Sequence, residues 1–209
     1  MTERAPSFQY ATLAQQHEAD ALGMWGFLAT EVLFFGALIA AYFAYRITYG
    51  DAFIEAARHT KVVLGTANTA VLLTSSACMA MAVHSTEDRA RRSAALWFAA
   101  TALLGLTFIG IKGYEYLEEY REHLVPALDF STAQYGGVTQ LFFIFYFIAT
   151  GLHAVHLTIG IAMIVTLAVL SASNRLPSVQ PVRMIGLYWH FVDIVWIFLF
   201  PLIYLAGRN

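Results

Sequence analysis

The sequence predicts an all-α polytopic membrane protein, a bundle of five transmembrane helices. Three observations predict it. Of 209 residues, 59% are hydrophobic and only 12% are charged, about half the charge of an ordinary soluble domain. Five stretches are apolar enough and long enough to cross a bilayer, which takes about 20 residues each. No run of short segments alternating in polarity marks a β-barrel. The same composition excludes a disordered chain, a disulfide scaffold and a basic nucleic-acid binder. The lone cysteine, Cys78, lies in an apolar run and reads as a small buried hydrophobe. A net charge of −2 points to no particular partner.

Residues 1–21 read as a polar, mildly acidic tail. They lack both the basic start and the apolar core of a cleavable signal. The spans then run at about 22–45, 62–83, 94–114, 138–170 and 185–206, and form a single membrane domain over 22–209. The first is interrupted only by Glu31, and the second carries no charge. Arg92 precedes the third and Lys112 stands near its end. The fourth is longer than one crossing needs, so it tilts or projects. The fifth holds one carboxylate, Asp193. Short connections at 46–61, 84–93, 115–137 and 172–184 leave no room for a soluble domain, and Asn174, Pro177 and Pro181 mark the last as a turn.

Five spans place the termini on opposite sides. Arg4, Arg89, Arg91, Arg92, Arg175 and Arg183 fall on the N-terminal side, and Arg46, Arg58, Lys61, Lys112, Arg121 and Arg208 on the other. The count ties, but the cluster at Arg89, Arg91 and Arg92 in one short loop favours a cytoplasmic N-terminal side. The acidic residues Glu115, Glu118, Glu119, Glu122 and Asp129 crowd the far side. Aromatic belts fit this arrangement, with Trp25, Trp97, Tyr188 and Trp189 at one interface and Tyr42, Tyr45, Tyr49, Tyr114, Tyr116 and Tyr204 at the other. Gly36, Ala40 and Ala44, and again Thr101 and Gly105, have helical spacing and read as internal packing.

Ionisable groups within spans are costly and face the protein interior or a partner. Counted from the span ends, Glu31 lies about 14 Å deep, Asp193 about 12 Å, His156 about 21 Å, and Thr74, Ser75 and Ser76 about 10–14 Å. They share one slab of the membrane. Glu31 reads either as a carboxyl that holds or passes a proton, or as one that only hydrogen-bonds a neighbouring helix. His153 and His156, at i, i+3, lie on one helix face. Such a pair can bind a metal or haem, but a closed site wants more ligands, so structural histidines are the expectation and no metal is assigned. His190 and Asp193 have the same spacing and read as a local pair. Trp25, Arg46, Tyr114, Glu115 and Trp189 read as lipid or interface contacts.

The strings GMWGFLATEVLFFGALIAAYFAYR (Gly23 to Arg46), LGTANTAVLLTSSACMAMA (Leu64 to Ala82), GYEYLE (Gly113 to Glu118), FYFIATGLHAVHLTIG (Phe145 to Gly160) and YWHFVDIVWIFLFPLIYL (Tyr188 to Leu205) carry more than spacing. Together and in this order they resemble subunit III of haem-copper respiratory oxidases, over nearly the whole chain after the tail. The resemblance implies a non-catalytic subunit without its own redox centre, docked on subunit I, which holds the haems and copper. Subunit II and further small or supercomplex subunits are the other implied partners. By position, Glu31 matches the family's buried membrane glutamate, and His153, His156, His190 and Asp193 match its polar helix residues.

The implied roles are support of proton uptake, binding of structural phospholipids and preservation of the enzyme in turnover. The implied place is the bacterial cytoplasmic membrane, with the N-terminus cytoplasmic and the C-terminus outside. The larger family form has two further helices before the glutamate helix and a lipid cleft between the groups. With 21 residues before Leu22, a short five-helix form is expected, its cleft open or completed by another subunit. Many relatives have a neutral glutamine-alanine pair where this chain has Lys112 and Gly113, so Lys112 is a candidate partner for Glu115. Quinol oxidases and nitric-oxide-reductase accessory subunits share the short form, which leaves the electron donor open. A free-standing membrane haem protein and a proton carrier built on Glu31 and Asp193 are the rivals from other classes.

Overall fold

The computed structural model describes residues 9–206 apart from 127, 129 and 174, without the side chains of 132–134. Arg4, Arg208, Asp129, Asn174 and the first eight residues of the expected tail lie outside that set. Among the described residues there are five helices and no strand: α1 (Leu13–Ala57), α2 (Val62–Glu87), α3 (Arg91–Arg121), α4 (Thr132–Ala172) and α5 (Val179–Tyr204). All five are long and apolar enough to cross a membrane. In lipid every backbone N–H and C=O must be satisfied within the segment, which a helix does and an open strand does not.

The helices run past the apolar spans. Part of the expected tail is the start of α1, where Thr12 accepts a bond from the Gln15 N–H and caps the first turn. At its far end α1 breaks at Gly50, whose φ of 52° is a conformation a side chain resists. The last turns then fold back, so that Phe53 is fully buried with its ring 5.3 Å from Tyr42 and 5.4 Å from Phe142. The far end of α3 likewise continues to Arg121, through the good helix formers Leu117, Glu118 and Glu119. It closes by a 6→1 bond from the Leu124 N–H to the Glu119 carbonyl, 3.0 Å, with His123 at φ 57°. The α2–α3 turn repeats this pattern with Arg89 at φ 55° and a bond from the Ala90 N–H to the Ser85 carbonyl, 2.8 Å.

Four helices close a ring in which α2 packs on α3, α3 on α4, α4 on α5 and α5 back on α2, while α1 lies outside against α4 and α5. Trp196 of α5 fills the middle of the ring. Its rim meets Phe108 of α3 edge-on at 4.8 Å, and its indole N–H donates to Thr69 of α2 at 3.1 Å. Trp189, one heptad earlier, enters a hole left by two glycines. A Cβ on Gly105 of α3 would come within 2.9 Å of the Trp189 ring, as would one on Gly160 of α4. Close helix approach through small residues is the packing a bundle in lipid relies on, because lipid tails remove the hydrophobic drive between helices.

Two expectations change here. Thr101 is buried and Gly105 closely packed, as internal packing requires, but Gly36 has open space where a Cβ would stand, and Ala40 and Ala44 are exposed. That stripe of α1 faces outward, because α1 has neighbours on one side only. Tyr42, Tyr188, Trp189 and Tyr204 are buried rather than set in interfacial belts. The three tyrosine hydroxyls reach inward to partners, that of Tyr42 to the Leu202 carbonyl of α5, that of Tyr188 to the His156 carbonyl and that of Tyr204 to Glu115.

Candidate functional site

Glu31 of α1 and His156 of α4 meet at the outer helix contact. His156 Nε2 lies 3.1 Å from Glu31 Oε2, and each side chain keeps 17% of its surface exposed. Phe35, one turn after Glu31, covers the imidazole edge-on at 5.3 Å. The other ring nitrogen, Nδ1, is 2.8 Å from the Leu152 carbonyl. A carbonyl only accepts, so Nδ1 carries a proton. One further proton then joins Nε2 and Oε2. Either a neutral imidazole accepts it from the carboxylic acid, or an imidazolium donates it to the carboxylate. A hydrogen bond between these two atoms thus needs one proton between them, at the contact of α1 with α4.

His153, although at i, i+3 from His156, does not share its surroundings. It points into the ring and is fully buried, 5.5 Å from the Phe108 ring and 5.1 Å from the Trp196 ring. Residues three apart on a helix differ by about 60° in direction, enough for one to face α1 and the other α3 and α5. The two imidazoles do not converge on a common ligand. His153 lies between the Phe108 and Trp196 rings, and both nitrogens of His156 have partners.

His190 and Asp193 also part company. His190 Nδ1 meets the Ser76 hydroxyl of α2 at 2.7 Å instead of Asp193. The Asp193 carboxyl is buried with no hydrogen bond of ordinary geometry among the described residues, although the Ser76 hydroxyl is close enough to act on it. Ser76 is thus one of the polar contacts from α2 to α5, beside Thr69 with Trp196.

The largest polar cluster sits toward the other end of the ring, on α3. Lys112 and Glu115 are buried and bonded at 2.9 Å. The remaining two ammonium hydrogens go to the hydroxyls of Tyr146 of α4 and Tyr204 of α5, each 2.8 Å away. Tyr204 in turn donates to Glu115 at 3.0 Å. The ammonium lies 4.7 Å from the Tyr146 ring centre and 5.0 Å from that of Tyr116, near enough for cation–π attraction. Glu119, one heptad after Lys112, is buried as well, beside the Tyr146 hydroxyl. Further out Lys61, between α1 and α2, bonds Glu122, and that carboxylate holds its ammonium above the ordinary lysine range. Two cations and three carboxyls thus run from the core to the surface.

Glu115 and Trp189 do not serve as lipid or interface contacts. Glu115 lies on the inward face of α3 with Lys112, and Trp189 fills the hole at Gly105 and Gly160. Trp25 and Tyr114 are at the surface, 60% and 52% exposed, and Arg46 is half-buried. Sequence reasoning named Lys112 as a partner for Glu115 but missed Glu119, Tyr146 and Tyr204. Positions 112, 115 and 119 share a helix face, which is the available signal for Glu119. Nothing local marks the two tyrosines.

The chain is similar to known proteins. The model of the family described as cytochrome c oxidase subunit III matches residues 8–208. The chain is 32% identical over 189 residues to a cytochrome c oxidase subunit 3 of Bacillus sp. (strain PS3), covering 89% of this chain and 85% of that one. It is 35% identical over 183 residues to that of Corynebacterium diphtheriae, covering 85% and 83%. A probable quinol oxidase subunit 3 of Staphylococcus epidermidis is 28% identical over 194 residues, covering 91% and 90%. With five membrane-crossing helices and a family match over almost its entire length, this chain belongs to the cytochrome c oxidase subunit III family.

Proposed function

We propose that the chain is the non-catalytic subunit of a haem-copper terminal oxidase, docked on subunit I, and that it helps subunit I take up protons through Glu31 and His156. The observation that carries this reading is the 3.1 Å contact between His156 Nε2 and Glu31 Oε2, with the other ring nitrogen turned to the Leu152 carbonyl. The pair sits at the seam of α1 and α4 with 17% of each side chain exposed, so a partner seated over that seam reaches it. The redox centres belong to partner subunits, as the resemblance to subunit III implies. Subunit II and smaller subunits complete the assembly, with the N-terminus on the cytoplasmic side of a bacterial cytoplasmic membrane. Relatives named for cytochrome c and for quinol oxidases make quinol the second reading for the electron donor.

Glu31→Gln in the assembled oxidase tests the proton role. An amide keeps the shape but cannot exchange the shared proton. Assembly is expected to survive, and oxygen turnover to fall several-fold, with the loss growing from neutral to alkaline pH. Bulk protons become tenfold scarcer with each pH unit, so a group that collects them matters more. Unchanged turnover across that range means that Glu31 only ties α1 to α4.

A further inference from the structure

A groove of about 370 Å³ opens on the seam of α2 and α5, between Ala80 and Val83 of one helix and Met184, Leu187 and His190 of the other. That volume takes the head of a small molecule. The helices close its back at Gly186, which is buried and would bring a Cβ within 3.2 Å of Val83. Arg183 lines the groove near the start of α5, but Glu87 holds its guanidinium at 2.7 Å. His190 stands deeper, about 16 Å along α5 from Val179, and is half-buried. Its Nδ1 meets the Ser76 hydroxyl at 2.7 Å, and its Nε2 has no partner among the described residues. The groove is therefore apolar, with its arginine already paired and one imidazole at depth.

Behind the imidazole, Ser76 lies beside the Asp193 carboxyl, which is buried and has no other polar neighbour among the described residues. A neutral imidazole carries one hydrogen, on either nitrogen. When the Ser76 hydroxyl donates to Nδ1, that hydrogen is on Nε2, which offers the groove a donor. When Nδ1 carries it and donates to Ser76, the hydroxyl hydrogen turns to Asp193, and Nε2 offers the groove a lone pair. The string from His190 through Ser76 to Asp193 thus lets one atom of the groove donate or accept, with no change of charge inside the membrane.

We propose that this groove binds the head group of an isoprenoid quinone, with one ring oxygen on His190 Nε2 and the ring between Val83 and Leu187. Depth and charge select the occupant. A charged head group is held at the membrane surface by the cost of entering hydrocarbon, whereas His190 lies well below it. A quinone head is neutral and enters the apolar region. Its ring oxygen accepts a hydrogen bond when oxidised and donates one when reduced, and the string behind His190 meets both forms. The site goes beyond the proton role of Glu31 and His156, which lie on a different seam, and does not depend on which donor feeds the complex.

The test is photolabelling of the complex purified through a tag on this chain, freed of native quinone and given an azidobenzoquinone with a decyl tail. Label is expected on α2 and α5 at this seam, saturating with probe and displaced equally well by decylubiquinone and by its quinol. His190→Leu should weaken binding about tenfold, the loss of one hydrogen bond in an apolar site. Ala80→Trp, which fills the groove and leaves Ser76 and His190 in place, should abolish the label. Label that does not saturate, that falls only on other subunits, or that persists at wild-type strength in either variant overturns the proposal. So does equal displacement by farnesol, which has a hydroxyl and an isoprenoid tail but no ring, or by phosphatidylglycerol. Saturable label at this seam on a chain that emerges without a haem-bearing partner would refute the oxidase reading and uphold the quinone site.

Discussion

Lys112→Met is expected to destabilise the bundle by about 3–5 kcal/mol, the usual consequence of stripping one partner from a buried ion pair. The change leaves the Glu115 carboxyl without its ammonium and takes one hydrogen-bond donor each from Tyr146 and Tyr204. Three helices lose a common tie, because these groups stand on α3, α4 and α5. Thermal unfolding of the chain in mild detergent should show the midpoint falling by roughly 10 °C. Joining Glu115→Leu to Lys112→Met should recover most of the loss, since apolar replacement of a whole buried pair is often neutral. A single variant that melts like wild type would mean that the cluster contributes no stability. A double variant worse than the single would mean that the bond from Tyr204 to Glu115 stabilises the bundle independently of Lys112.

The cluster also shows what the sequence can and cannot disclose. The five spans were legible because the bilayer demands long uncharged runs, and the family was legible because its motifs arrive in order. The pairing of Lys112 with Glu115 is a local relation on one helix face, so spacing suffices to find it. Tyr146 and Tyr204 come from other helices, and only packing brings them to the ammonium. Depth counted from the apolar spans differs from distance along the helices. Counted from Leu13 and Ala172, where the helices actually end, Glu31 and His156 lie about 27 and 24 Å along their helices, close to level. The apolar span boundaries concealed this by hiding the polar turns beyond them. His153 misled for a different reason. Sharing a face at i, i+3 still allows 60° of divergence, which in a crowded bundle separates two environments.

Trp189→Ala is expected to cost about 3 kcal/mol, near the low end for deleting a large buried aromatic. Lipid and protein interior are both apolar, so the transfer contribution is small and the loss comes from the emptied packing between α3, α4 and α5. Gly105 and Gly160 give the control. Each is small because the indole occupies the space its side chain would take. Gly105→Leu alone should destabilise by overpacking, about 1–3 kcal/mol. Combined with Trp189→Ala it should destabilise less than either change alone, because the leucine fills the hole. Detergent unfolding of the four proteins measures this coupling directly. Simple additivity would show that the indole and the glycine are not packed against each other as described.

The central claim is that this chain works as one part of a haem-copper oxidase, lending a proton-holding pair and a lipid-facing frame to a catalytic partner. Gentle extraction of the membrane through a tag on this chain, followed by native mass and optical spectroscopy of the product, tests it most directly. The account predicts a complex that contains a larger haem- and copper-bearing subunit and reduces oxygen. A chain that emerges alone, or with partners that carry neither haem nor copper, would contradict it.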